Sequence, residues 1–188
     1  YKQLGNTLNG LRTSGDVEIL YRLLGEKGSD ALQQINGFFA FCYLDEQGSL
    51  LLARDRFGEK PLYYFSDNDK FVFASELRAL MELAGPQELN YNQVYTFFRL
   101  NYCPGKETIF RNVYRLMPGE LLEIKGTAIS TRQWYTVPRK KSEGDLYGIL
   151  DNAVKLRLNA DVPVGCFLSG GLDSSIVSAL AIKHAPGL

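Results

Sequence analysis

Seven consecutive residues, Ser169-Gly170-Gly171-Leu172-Asp173-Ser174-Ser175, combine the groups that hold a polyphosphate. Two adjacent glycines permit positive φ and close backbone approach, and three hydroxyls can donate to phosphate oxygens. The run follows the apolar stretch Val162-Pro163-Val164-Gly165-Cys166-Phe167-Leu168 and precedes Ile176-Val177-Ser178-Ala179-Leu180-Ala181-Ile182. Short apolar run, Gly-rich turn and helical periodicity, in that order, predict a strand, an anion-binding loop and a helix whose dipole favours the anion. The Gly-Lys-Ser/Thr element of a P-loop is absent, as is the Gly-x-Gly-x-x-Gly spacing of a dinucleotide fold. Asp173 would repel a bare polyphosphate, but suits the site if Mg²⁺ lies between the two negative groups. The set fits pyrophosphate plus magnesium better than a plain Ser/Gly-rich helix cap.

Other groups have simpler roles. Arg54 and Asp55 stand where a strand ends and are expected to form a structural ion pair. Glu76 follows a strand and opens a helix, where its charge suits the dipole. His184, the single histidine, is expected to be a solvated residue at a helix end rather than a general base. Cys42, Cys103 and Cys166 lack metal-like spacing and lie in or beside apolar runs, which predicts reduced, buried thiols in a cytosolic protein.

The elements that must carry these residues fall into two groups. In the first, Asp16–Leu24 reads as an amphipathic helix begun by Ser14 or Asp16, and Ser29–Gln34 as a second, short one. Strands are expected over Gly37–Leu44, Ser49–Asp55, Leu62–Phe65 and Phe71–Ala74, in antiparallel succession. Helices follow over Glu76–Leu83 and Tyr91–Leu100, then strands over Val113–Leu116, Glu120–Ile124 and Arg132–Tyr135 around the Met117-Pro118-Gly119 turn. Polar, aperiodic chain over Val137–Ser142 marks a linker, with Arg139-Lys140-Lys141 as its solvated face. Beyond it, Ser142 with Asp145 would cap a helix over Glu143–Leu158, followed by the strand, loop and final helix of an opening α/β domain. The domains so drawn are residues 1–138, a linker at 139–142, and residues 143–188.

Composition narrows the class. With 188 residues, 45% hydrophobic and 12% aromatic, the chain can bury a sizeable core. Its formal net charge of zero, without a basic stripe, argues against nucleic acid or an anionic membrane surface as partner. No apolar run approaches the roughly 20 residues that span a bilayer.

Ser169–Ser175 resembles the signature loop of the ATP pyrophosphatase superfamily, which cleaves ATP between its α- and β-phosphates to adenylate a substrate. With the lead-in Leu158–Leu168, it is similar more narrowly to the glutamine-hydrolysing asparagine synthetase family. The resemblance implies that Leu168 meets the adenine side of ATP through its backbone. It implies that Ser169, Gly170, Gly171, Leu172, Asp173, Ser174 and Ser175 bind the phosphates, with Asp173 on a pyrophosphate-bound Mg²⁺. Upstream, Thr13-Ser14-Gly15-Asp16-Val17-Glu18-Ile19-Leu20 resembles the family segment whose aspartate grips the α-amino group of glutamine, which assigns that contact to Asp16. Ile35–Phe41, Ala53–Tyr64, Ala74–Leu80, Thr108–Phe110 and Leu116–Glu120 are similar to the same amidotransferase domain.

That resemblance implies an α+β, antiparallel two-sheet αββα domain of Ntn type, incomplete, followed by the start of a parallel-sheet α/β ATP-pyrophosphatase domain. It implies a cytoplasmic ligase, possessed of an ammonia tunnel, that uses glutamine, aspartate and ATP with Mg²⁺. A homodimer of the full-length enzyme is a further expectation. The family's N-terminal nucleophilic cysteine and its Asn-Gly-Glu oxyanion motif have no counterpart here, so no catalytic residue is assigned in this chain. It is read as an internal piece, inactive on its own. Two alternatives stay open: a related amidotransferase acting on another carboxylate, as in surface-polysaccharide, secondary-metabolite or β-lactam synthesis, and a non-catalytic regulatory relative.

Overall fold

The computed structural model describes residues 2–5, 10–13, 15–138, 144–160 and 162–187. They divide into two compact units, Tyr1–Val137 and Pro138–Leu188. The expected cap Ser14 and the linker residues 139–142 lie outside the described residues.

The first unit opens with α1 (Lys2–Gly5) and α2 (Asp16–Lys27), whose buried residues Ile19, Leu23 and Leu24 recur at helical spacing. The expected helix over 29–34 is a 3₁₀ segment, Gly28–Gln34, that buries Ala31 and Leu32. Gly28 ends α2 at φ +56°, and the chain tightens into the short connector that 3₁₀ geometry suits. Strands β1 (Ala40–Leu44), β2 (Leu50–Arg54), β3 (Tyr63–Ser66) and β4 (Phe71–Ala74) follow in hairpin succession. Asp45 turns the first hairpin by accepting from the N–H groups of Gln47 and Ser49 at 2.9 and 2.7 Å. Asp67 turns the second in the same manner, through Asp69 and Lys70 at 2.8 Å each. Helices α3 (Leu77–Ala84) and α4 (Tyr91–Leu100) precede β5 (Val113–Arg115), β6 (Glu120–Lys125) and β7 (Ala128–Gln133).

Two antiparallel sheets result, ordered β1-β2-β6-β7 and β4-β3-β5. The two-residue alternation of a strand sorts the side chains into three interfaces. Leu51, Ala53 and Leu121 pack with Ile19, Leu23, Leu24, Ala31 and Leu32 beneath α2 and the 3₁₀ segment. Their neighbours Leu52 and Leu122 face the other way and meet Leu62, Tyr64 and Leu116 between the sheets. Phe65 and Val113 point outward again and pack with Leu80 and Ala84 of α3. The order of layers is helix, sheet, sheet, helix, the expected αββα arrangement in an α+β unit.

The last strand begins at Ala128, four residues earlier than expected, because it pairs with β6 along its whole length. Two further strand ends differ from expectation at the pair Arg54 and Asp55. The first strand starts at Ala40 rather than Gly37: the Phe39 carbonyl still accepts from the Asp55 N–H at 2.9 Å, but the Phe39 N–H goes to the Asp55 carboxylate at 3.3 Å instead of to strand backbone. The last strand stops at Gln133 because Trp134 turns inward, its indole N–H donating to the Arg54 carbonyl at 3.0 Å. Nor do Arg54 and Asp55 bond each other. Residues adjacent in extended chain point to opposite sides, so each side chain finds backbone instead. Arg54 donates to the carbonyls of Gly58, Lys60 and Leu116 at 2.6–2.7 Å. Asp55 accepts from the N–H groups of Phe39, Phe57, Glu59 and Lys60 at 3.0–3.3 Å. Both are buried.

The cysteines also depart from expectation. All three are free, but Cys42 and Cys166 are exposed and Cys103 is half-buried. Cys42 pairs with the buried Leu52 but stands on β1, the edge strand of its sheet, where it stays exposed.

In the second unit, α5 (Leu146–Arg157) is capped by Asp145, which accepts from Tyr147 and Gly148 at 3.0 and 2.9 Å. The helix thus begins three residues later than expected. It packs against α6 (Leu172–His184) through Val154, Leu180 and Ala181. The expected strand ahead of Leu168 is not formed among the described residues: Val162–Leu168 has no ladder partner, and Phe167 is fully exposed. A parallel strand exists only against a neighbour, and this unit supplies none. His184 is not merely solvated either; its Nε2 lies 2.9 Å from Asp151 Oδ1, which links α6 to α5.

The Asp55 carboxylate yields a stability prediction. Asp55→Asn keeps the shape but turns an amide NH₂ toward backbone N–H groups. It should cost about 2–4 kcal/mol, read as a lower midpoint in urea unfolding of the chain.

Candidate functional site

Asp16 is the first residue of α2 and is exposed. The helix N-cap is Gly15, with extended φ −80° and ψ 152° and no side-chain cap bond, so Asp16 does not cap the helix. Glu18 binds the preceding loop to the helix instead. Its carboxylate accepts from the Arg12 N–H at 2.9 and 3.0 Å, the Thr13 N–H at 2.6 Å and the Thr13 hydroxyl at 2.9 Å. Arg22, one turn further on, donates to Glu18 at 2.7 Å and to the Gly10 carbonyl at 2.5 Å. A glutamate at the third helical position reaching back to loop N–H groups is an extended form of the capping box.

These donors hold the Glu18 carboxyl at about 2, well below the usual carboxylate range. The Arg12 amide leads, Thr13 and Arg22 add to it, and partial burial opposes them. Sequence reasoning passed over Glu18, although its place at N3 with Arg22 four residues on was a readable signal.

The second group of expected site residues lies at the start of α6. Gly170 takes φ +83°, a conformation costly for any residue with a Cβ. Gly171 is the N-cap at φ −75° and ψ 162°, and no side chain caps the helix. Ser169 and Ser174 lie 3.0 Å apart through their hydroxyls, and Ser174 also donates to the Gly171 carbonyl at 3.1 Å. Asp173 is the second helical residue. It is exposed, as are Leu168, Ser169, Gly170, Gly171, Leu172 and Ser175, while Ser174 is half-buried. A thirteen-residue helix thus presents an N-terminus without a side-chain cap beside hydroxyls, which is the geometry of an anion site. No group of three or more His, Cys, Asp or Glu residues able to hold a metal ion occurs among the described residues. A cation here would rest on Asp173 and on the oxygens of the anion it accompanies. Asp16 and Asp173 fall in separate units.

The family model described as "Glutamine amidotransferase domain" matches residues 1–135, nearly three-quarters of the chain. The chain belongs to that family. Residues 145–188, from the cap of α5 through α6, match the family model described as "Asparagine synthase". The amidotransferase unit and the segment after it are similar together to proteins named as asparagine synthetases. A Methanocaldococcus jannaschii protein named putative asparagine synthetase [glutamine-hydrolyzing] 2 is 34% identical over 88% of this chain. Bacillus subtilis asparagine synthetase [glutamine-hydrolyzing] 1 is 30% identical over 98%, and Escherichia coli asparagine synthetase B is 31% identical over 93%. The chain spans 35%, 30% and 28% of the length of these relatives. Among solved structures, the Bacillus subtilis glutamine phosphoribosylpyrophosphate amidotransferase complexed with ADP and GMP covers 96% of this chain and is matched over 40% of its own. The TM-score is 0.48 and the identity 19%.

Glu18 gives the amidotransferase unit a defined acid response. Its folded-state value lies below the ordinary 4.5, so its stabilising contribution is complete above about pH 4.5 and is lost as pH falls toward 2. Glu18→Gln should flatten the stability profile of the chain across that window, as measured by urea unfolding at stepped pH.

Proposed function

We propose that this chain is part of a glutamine-dependent asparagine synthetase. Glutamine hydrolysis in the first unit supplies ammonia. The second unit belongs to a domain that activates aspartate as β-aspartyl-AMP, releasing AMP and pyrophosphate from ATP. The domains are read as residues 1–138, a linker at 139–142, and residues 143–188. One observation carries the reading: an amidotransferase unit is followed in the same chain, after α5, by a helix N-terminus, lacking a side-chain cap, that bears Ser-Gly-Gly-Leu-Asp-Ser-Ser.

In this reading Asp16 pairs with the α-ammonium of glutamine. An exposed carboxylate at the first helical position can meet a cation that enters from solvent, and closure of the site would strengthen the pair. Leu168 meets the adenine side of ATP through its backbone, and Ser169 offers its hydroxyl to the phosphates. Gly170 and Gly171 bring backbone to the phosphates, and Ser174 and Ser175 add hydroxyl donors. Asp173 takes the side of Mg²⁺, which when bound would offset the charge that develops on the leaving pyrophosphate. The exposed hydroxyls, the positive φ of Gly170 and the open start of α6 all fit that group. None of Cys42, Cys103 and Cys166 is assigned as nucleophile, since none combines a thiol with a free α-amine. A cytoplasmic, homodimeric enzyme completes the proposal.

The test uses the longer protein that carries this chain. Asp173→Ala should lower ATP-dependent pyrophosphate release by about 10²-fold or more while glutamine hydrolysis stays measurable. Equal loss of both activities would contradict the assignment. Supplying aspartate, glutamine and ATP and finding neither pyrophosphate nor asparagine would shift the acceptor to another carboxylate.

A further inference from the structure

We infer that Glu18 is the positioning residue of the glutamine site: it fixes the loop that leads into Asp16, and so sets how firmly the α-amino group is held. The inference rests on the proposed contact between Asp16 and glutamine.

The argument begins with helix geometry. Asp16 and Glu18 are two residues apart, about 200° round a helix of 3.6 residues per turn, so they project to different sides of α2. Glu18 therefore cannot share the ligand with Asp16. It is turned toward residues 12 and 13, where one carboxylate gathers two backbone N–H groups and a hydroxyl. Arg22 extends the same clasp to Gly10. Residues 10–13 are thereby tied to the first and second turns of α2, on either side of the step into Gly15 and Asp16. Gly15 is joined to the clasp as well, its N–H donating to the Thr13 hydroxyl at 3.3 Å, so the direction of that step depends on the clasp. Four of these donors meet one carboxylate, the Arg12 and Thr13 N–H groups, the Thr13 hydroxyl and the Arg22 guanidinium, and an ionised acceptor makes the bonds strong and directional.

The side chains that do this work are not core residues. Thr13 is exposed, and the buried face of α2 is made by Ile19, Leu23 and Leu24. Loss of Glu18 should therefore loosen the approach to Asp16 without emptying the apolar interface below.

The readout is discrimination between glutamine and glutaramate, which is glutamine without its α-amino group. In the longer protein, amide hydrolysis of both is measured for wild type, Asp16→Ala, Glu18→Gln and Thr13→Val. Asp16→Ala should remove most of the preference for glutamine. Glu18→Gln should raise KM for glutamine about tenfold, the loss expected of a charged hydrogen bond, with kcat and glutaramate turnover kept. Thr13→Val deletes the two bonds of that hydroxyl, to Glu18 and from the Gly15 N–H, and should give a smaller rise, about two- to threefold; it serves as the test if Glu18→Gln does not fold.

If Asp16→Ala leaves the preference intact, or if wild type hydrolyses neither compound, the underlying glutamine contact is wrong. If Asp16→Ala removes the preference but Glu18→Gln and Thr13→Val do not alter it, the positioning role is overturned. An equal fall toward both substrates in Glu18→Gln would also overturn it, because that pattern belongs to a purely structural residue.

Discussion

The backbone bonds of Arg54 and Asp55 are the constraint on which the amidotransferase unit depends. Between them, these two buried side chains bond the main chain at Phe39, residues 57–60 and Leu116. Their own peptide groups add Trp134 and Gly119. These segments end or enter strands of both sheets, so the pair sets the edges of the sandwich as well as its interior. Charged groups in such a place are tolerable because each has a full set of partners. Burial and the nearby Arg115 push the Arg54 guanidinium below its ordinary value, and the three carbonyls around it offset that cost.

The two candidate sites use helix starts in opposite ways. At α2 a protein carboxylate already occupies the donors of the preceding loop, and the exposed Asp16 is left to face outward. At α6 the helix start has no side-chain cap, and the nearest hydroxyls bond mainly to each other and to Gly171. The first arrangement suits a cation, since the local positive groups are neutralised by Glu18. The second suits an anion accompanied by a cation, since no side chain caps the helix and Asp173 stands in its first turn. Charge sign at each site follows from who supplies the cap.

Much of this was legible in the sequence because it is local. Hairpin turns at Asp45 and Asp67 follow from aspartates that bond their own backbone, and α4 opens at Asn90 for the same reason. The Ser-Gly-Gly run announced an open helix start. What failed was what depends on distant chain. The partners of Arg54 include a carbonyl 62 residues away, so an adjacent acid looked like its natural mate. The start of β1 and the end of β7 are both set by that cluster and carry no mark of their own. Val162–Leu168 reads as a strand, yet whether it becomes one is decided by a neighbour that these residues do not encode. Glu18 lay between, readable as a capping pattern but overshadowed by Asp16.

Trp134 shows what such distant closure means for the order of assembly. Its carbonyl accepts from Gln33, 101 residues earlier, and its ring stacks on Phe39 at 6.0 Å between centroids. Arg56 lies 4.9 Å over the ring of the next residue, Tyr135. The first and last thirds of the unit are thus closed on one another by almost the last residues of its chain. Loop closure of that span is entropically costly and slows folding. On the ribosome, the helix–sheet interface around Leu32 and Ala53 has to wait, unsealed, until Trp134 emerges. Completion of this unit is therefore timed by the synthesis of the residue that follows β7.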